Sequence, residues 1–178
     1  SSDVLVNITI MSLIIIGGLG FTVWSDISKT LKKSLKEKLK LKKMWKEYSL
    51  HTKIVLTTTI ILLISGTVLI YGLEHNNSTV MAKDNQGTKI LKSAFQSTTL
   101  RTAGFYSIPQ DELTSVSKLL SVCLMFIGGS PASTAGGIKT ATLGVIILLV
   151  INYIKGKQEI NVFNRKITNS KGYSQYYR

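Results

Sequence analysis

Two stretches of this chain combine residue types and spacing suited to handling an ion. The first is Thr88–Phe105, TKILKSAFQSTTLRTAGF. Its first dozen residues have helical spacing, with Ile90, Leu91, Ala94 and Phe95 on one side, and it is too short to span a bilayer. A half-spanning helix followed by an extended Arg-Thr-Ala-Gly meets the needs of a re-entrant pore loop. The helix C-terminus would point at the bilayer centre, where the negative end of its dipole favours a cation. The strand of Thr102, Ala103 and Gly104 can then aim carbonyl oxygens inward in place of an ion's hydration shell. Gly104 permits the positive φ that keeps adjacent carbonyls on one side. Taken alone, the same residues also fit a Thr-rich surface loop.

The second stretch is Gly128-Gly129-Ser130-Pro131-Ala132-Ser133-Thr134-Ala135-Gly136-Gly137, followed by Ile138, Lys139 and Thr140. Four glycines relax the backbone, Pro131 removes a donor, and three hydroxyls supply polar partners. A small-residue packing motif between close helices is the alternative, but packing needs a small residue every fourth position, not ten in a row. Lys139 is costly inside a membrane and should pair, face water or snorkel.

The elements that hold these stretches follow from how charge is distributed. The 178 residues carry 22 Lys+Arg against 9 Asp+Glu, a net +13, yet 44% are hydrophobic. Mean hydropathy is positive, at +0.23. Basic disordered tails and collagen-like chains are excluded by this mix, and disulfide scaffolds by a single cysteine, Cys123. Residues 26–53 hold ten lysines against three acids, and residues 155–178 hold six basic residues against one acid. Between the blocks lie Val4–Trp24 and Ile54–Leu73, both long enough to cross a hydrocarbon core. Leu113–Ile154 is 42 residues, either two short crossings or one crossing broken in its middle. The positive-inside rule places both basic blocks in the cytoplasm. That parity requires an odd number of crossings after the outer segment, so Leu113–Ile154 is read as one broken helix. Irregular backbone at membrane depth is tolerated only where it is buried in protein or lines a water-filled cavity.

At these residues a family resemblance emerges. Thr102-Ala103-Gly104-Phe105, preceded by Thr99 and Arg101, resembles the third pore loop of the Ktr/Trk/HKT potassium transporter superfamily, with Leu100 standing where a second Thr is expected. Phe126–Thr140 is similar to the segment that breaks the following helix in that family. Ile16-Gly17-Gly18-Leu19-Gly20-Phe21, with Trp24 and Asp26, resembles the end of the second repeat's last helix. The chain is thus identified as similar to the bacterial Ktr-type membrane subunit, as a fragment of it.

The resemblance implies an all-α integral membrane fold of helix–pore loop–helix repeats, four around one pore. In that frame 1–25 is the last transmembrane helix of the second repeat and 26–53 a basic cytoplasmic loop. Residues 54–73 form the first helix of the third repeat, 88–105 its pore helix and filter, and 113–154 its broken second helix. Residues 155–178 lead to the fourth repeat. The implied filter residues are Thr102, Ala103 and Gly104, flanked by Thr99 and Arg101. The implied gate is the loop 128–140, with Gly128, Gly129, Ser130, Ser133, Thr134, Gly136, Gly137 and Lys139. The implied activity is potassium uptake at the bacterial cell membrane, with K⁺ as substrate, Na⁺ as a possible co-ion and no tightly bound cofactor. The implied partners are a second copy of the full subunit and a cytosolic nucleotide-binding regulatory ring. A membrane scaffold that transports nothing is the alternative, though a scaffold gains nothing from irregular backbone at membrane depth.

Other functions find little support. Gly136–Thr140 superficially resembles a phosphate-binding loop, but Ile138 intrudes between glycine and lysine and no α/β unit surrounds it. His51 and His75 stand 24 positions apart without metal-ligand spacing, so no enzyme is expected. The lysine run with Leu31, Leu35, Leu39 and Leu41 reads as a basic amphipathic helix on anionic lipid. Nucleic-acid binding is not expected, since no aromatic stacking platform accompanies the lysines.

Overall fold

A computed structural model describes residues 3–37, 41–77, 79–82, 84–155, 160–162 and 165–167. The chain is helical from α1 (Val4–Leu19) through α2 (Phe21–Glu37), α3 (Leu41–Glu47), α4 (Leu50–Glu74), α5 (Gln86–Thr99), α6 (Ser115–Phe126) and α7 (Thr140–Ile154). A short antiparallel hairpin follows, β1 (Ile160–Val162) with β2 (Arg165–Ile167). Most of the remaining tail lies outside the described residues.

α4 is the axis of the fold. Its 25 residues are apolar enough to cross a membrane, at about 37 Å of length. Ser49 starts it, its hydroxyl oxygen accepting from the Thr52 N–H at 3.2 Å. Ser49 also ties α4 to α2, donating its N–H to Asp26 Oδ2 at 2.9 Å. Partial burial pushes the Asp26 carboxyl up, but hydrogen bonds from Thr52 and Ser49, with Lys29 nearby, outweigh this and hold it below its ordinary value. The sign follows: this tie contributes stability at and above the ordinary carboxylate range, and loses it as pH falls through the lowered value.

The sequence places one helix from Val4 through Trp24; the structure ends it at Leu19. Gly20 takes φ 78° and α2 departs at 95° to α1. Hydropathy does not change at this corner, because its cause is tertiary. Gly20 sits so close to the 128–140 segment that a Cβ there would lie 2.5 Å from the Pro131 carbonyl oxygen. The Trp24 indole N–H locks the corner by donating to the Ile16 carbonyl at 2.9 Å. Residues 26–53, the basic segment whose lysine run has the spacing of an amphipathic helix, are largely helical as α2, α3 and the first turn of α4.

Leu113–Ile154 makes one antiparallel passage along α4. It begins at the α4 C-terminus, where Thr114 donates both its N–H and its hydroxyl to Glu74 Oε1, at 3.0 and 2.7 Å. Leu124 then packs with Ile70 and Leu100, and further on Gly144 lies against Ile54 and Thr58. α6 and α7 are the two halves of this passage, and residues 127–139 are the break.

Glu74 is fully buried and also accepts from the Asn77 amide at 2.6 Å. Glu74→Gln keeps the shape but turns one acceptor into a donor facing Asn77. A lost buried bond with an unpaired donor costs about 1–3 kcal/mol. We expect the purified full-length protein to melt several degrees lower, with unchanged spectroscopic helix content.

Candidate ion pathway

α5 starts at Asn85, whose side-chain oxygen accepts from the Thr88 N–H at 2.8 Å. Its upper end is fastened to the α4 C-terminus. Tyr71 donates its hydroxyl to Gln86 at 2.7 Å, and the Lys89 ammonium donates to the His75 carbonyl at 2.9 Å. Its lower end reaches Ser97, which donates to the Leu63 carbonyl at 3.1 Å. Leu63 is eleven residues below Glu74, a descent of about 16 Å at 1.5 Å per residue. The close approach depends on Gly66, where a Cβ would stand 2.3 Å from Ser97 Oγ. After the turn the chain climbs back, and Asn77 donates its amide to the Glu112 carbonyl at 3.1 Å. Residues 86–112 therefore enter and leave at the same end of α4.

The packing of α5 differs from the apolar face expected from its sequence. Phe95 is buried, but Ile90 is exposed, and Lys89, Ser93, Gln96 and Ser97 point into the protein. These polar groups satisfy one another and nearby carbonyls: Ser93 donates to Lys89 O at 2.8 Å, and Gln96 donates to Gln110 at 2.9 Å. Such a helix is held by hydrogen bonds as much as by apolar burial.

Below α5 the backbone leaves helical geometry. Thr102 and Gly104 both have positive φ, 66° and 80°. For Thr102 this is a strained conformation that costs about 1–2 kcal/mol. The loop is closed by Ala103 N–H donating to Thr99 O at 3.0 Å and by the Thr99 hydroxyl donating to Phe105 O. Arg101 is 93% buried by complement of its 7% exposure, and its Nε and Nη2 make no hydrogen bond among the described residues.

Residues 127–139 form a compact loop whose two ends run parallel, bridged at Ile127 and Ile138. Gly128 N–H donates to Ile138 O and Ile138 N–H to Phe126 O, both at 3.0 Å; Thr140 N–H donates to Gly129 O, also at 3.0 Å. These bonds satisfy backbone that no helix serves. The two strands approach so closely that a Cβ on Gly128 would lie 1.4 Å from the Gly136 carbonyl oxygen. Gly137, with φ 72°, makes the return. The loop is fastened to its surroundings at three points. Ser130 N–H donates to Gly18 O at 2.9 Å and Ala132 O accepts from Phe21 N–H at 3.1 Å. Gly136 N–H donates to the hydroxyl oxygen of Thr102 at 3.2 Å. Lys139 meets the expectation of pairing by donating to Ala135 O at 2.7 Å. Ser130 is fully buried, and the Ser133 hydroxyl is buried without a partner.

The re-entrant turn, this loop and the end of α1 share a cavity of about 400 Å³. Arg101, Thr102, Ala103, Gly129 and Thr134 line it, together with Gly17 and Gly18. Thr99 and Gly104 line a second cavity on the other side of the turn. Gly128, Ser130, Ser133, Gly136, Gly137 and Lys139 shape the loop and do not line the first cavity. Sequence reasoning read Gly17, Gly18 and Gly20 as part of a family signature but gave them no place in the site, and it singled out neither Gly66 nor Ser97. The available signal was three glycines within four residues of an apolar run, together with Gly66 and Gly72 in a second such run.

Comparison with known proteins gives a consistent set of relatives. A family model described as TrkH, cation transport protein, matches residues 1–171. The chain is 37% identical over 166 residues to the potassium/sodium uptake protein NtpJ of Enterococcus hirae, covering 93% of this chain and 34% of that protein. It is 38% identical over 165 residues to the Ktr system potassium uptake protein B of Bacillus subtilis, with the same coverage, 93% and 34%. The chain thus spans about a third of the length of the curated relatives it matches. The crystal structure of the potassium transporter TrkH from Vibrio parahaemolyticus superposes with a TM-score of 0.63 at 17% identity, over 86% of this chain and 30% of that one.

Proposed function

Because the chain belongs to the TrkH family of cation transport proteins, a family of membrane-embedded transporters and not of enzymes, we propose that the whole protein takes up potassium across the cell membrane. One observation carries the reading: a re-entrant segment brings Thr102 and Ala103 to a cavity that an irregular loop, hydrogen-bonded to Thr102, also lines through Gly129, Thr134 and Ala135. Backbone carbonyls of Thr102, Ala103 and Gly104 supply one quarter of a filter that replaces the hydration shell of K⁺. The C-terminal dipole of α5, aimed at the turn, adds negative potential where the cation loses its water. The loop 128–140 acts as the gate, since Gly129, Thr134 and Ala135 line the same cavity as Thr102 and Ala103 and its glycines allow it to move.

In this reading 1–25 ends the second repeat, 54–73, 88–105 and 113–154 make the third, and 155–178 leads to the fourth. The basic segments 26–53 and 155–178 face the cytoplasm, with their lysines and arginines on the inner side. A homodimer of full-length subunits, regulated by a cytosolic nucleotide-binding ring, belongs to the same reading, as does Na⁺ as a co-ion. The name of the Enterococcus hirae relative, which includes both potassium and sodium, supports testing both ions.

The experiment is expression of the full-length protein in a bacterium lacking its own potassium uptake systems. Growth should return at limiting K⁺, and the purified protein should carry rubidium, a K⁺ surrogate, into vesicles. Failure in both assays would sink the proposal and leave the scaffold reading standing.

A further inference from the structure

α2 leaves α1 at 95°, so when α1 stands across the bilayer α2 lies along its inner face. The helical period sorts the side chains of α2 into three stripes. Val23, Thr30 and Ser34 are buried against the rest of the protein. Phe21, Leu31 and Leu35 form a second stripe and are 76%, 48% and 74% exposed. Lys29, Lys32 and Lys36 form the third, beside the apolar stripe, and all are exposed. Lys33 is engaged by Glu47 at 2.7 Å.

We propose that α2 is a docking surface for anionic phospholipid of the inner leaflet, and that lipid bound there holds the intramembrane loop shut. An exposed apolar stripe next to a lysine stripe, on a helix lying in the membrane plane, fits acyl chains on one side and phosphates on the other. A free phosphate or an acidic protein would use the lysines but leave Phe21, Leu31 and Leu35 without a partner. The link to the loop is direct. Phe21, the first residue of α2, gives its N–H to Ala132, and Gly20 packs against Pro131 without room for a Cβ. Lipid holds the loop shut to the extent that it binds α2 more tightly in this arrangement than in one where the contacts to Ala132 and Pro131 are broken. The consequence for flux rests on the transport reading above; lipid binding itself does not.

The test uses full-length protein in phosphatidylcholine vesicles with and without phosphatidylglycerol, reading rubidium flux, and mass spectrometry of the purified protein to count retained phosphatidylglycerol. Phosphatidylglycerol should lower flux several-fold, an effect that fades as salt rises. The variant K29Q/K32Q/K36Q should bind the lipid about fivefold more weakly per lysine removed and keep its flux high in both vesicles. L31S/L35S should weaken retention without touching the charges, whereas K33Q should behave as wild type. Equal retention by wild type and the triple variant would overturn the proposal. A response that appears only when an acidic protein is added would overturn it as well. If neither vesicle shows flux, the transport reading fails, and retention still decides the lipid site.

Discussion

Gly128→Ala is expected to open the pathway, raising resting rubidium flux through the full-length protein by about tenfold or more. A methyl group at this position would lie 1.4 Å from the Gly136 carbonyl oxygen, far inside van der Waals contact, so the two strands of the loop cannot keep their approach. Overpacking of this kind costs about 1–3 kcal/mol even where neighbours can shift, and here the obstacle is backbone. The bonds that break first are Gly128 N–H to Ile138 O and Ile138 N–H to Phe126 O. Losing them frees the segment that carries Gly136 and its bond to Thr102. If the loop closes the pathway, 1–3 kcal/mol withdrawn from the closed state shifts the open fraction by a factor of 5 to about 150. Gly72→Ala is the control: among the described residues nothing lies within 4 Å of the added carbon, and Gly72 sits in α4 outside the loop, so flux should stay at the wild-type level. Deleting residues 129–136 should raise flux by a second route, independent of how Gly128→Ala folds. Wild-type flux from both variants would assign the loop to packing and not to gating.

The parts of this fold that a sequence discloses are those set by composition over a window. The span of α4 follows from twenty uncharged residues, and the break after Phe126 from ten small ones in a row. Charge parity made Leu113–Ile154 a single passage, and Thr114 at Glu74 followed by Gly144 at Ile54 and Thr58 runs once along α4. Features set by contact between distant segments were hidden. The corner at Gly20 lies within an uninterrupted apolar run and exists because Pro131, 111 positions later, occupies the space a Cβ would need. The inward polar face of α5 inverts the usual reading of an amphipathic helix, because its partners inside are carbonyls such as those of His75 and Leu63. Gly104 advertises a positive φ; Thr102 does not, and only the closed loop around Thr99 and Phe105 reveals it.

That geometry makes Gly104→Ser the sharpest test of the filter. Among the described residues nothing lies within 4 Å of the new Cβ. The cost is conformational. At φ 80° an L-residue is about 1–2 kcal/mol worse than glycine. The strand can relieve this by rotating the peptide into a negative φ, and that rotation swings a carbonyl away from the ion. Loss of one carbonyl in a ring changes the balance between K⁺, which sheds its water readily, and Na⁺, which holds it more tightly. A shift of about 1.4 kcal/mol between the two ions is a factor of ten. We therefore expect the ratio of rubidium to sodium flux through the full-length protein to fall about tenfold, with total cation flux much less affected. Gly72→Ser, also free of contacts within 4 Å but placed in α4 away from the turn, should leave the ratio unchanged and reports any general effect of the substitution. An unchanged ratio in Gly104→Ser would mean that the carbonyls of this turn do not face the ion.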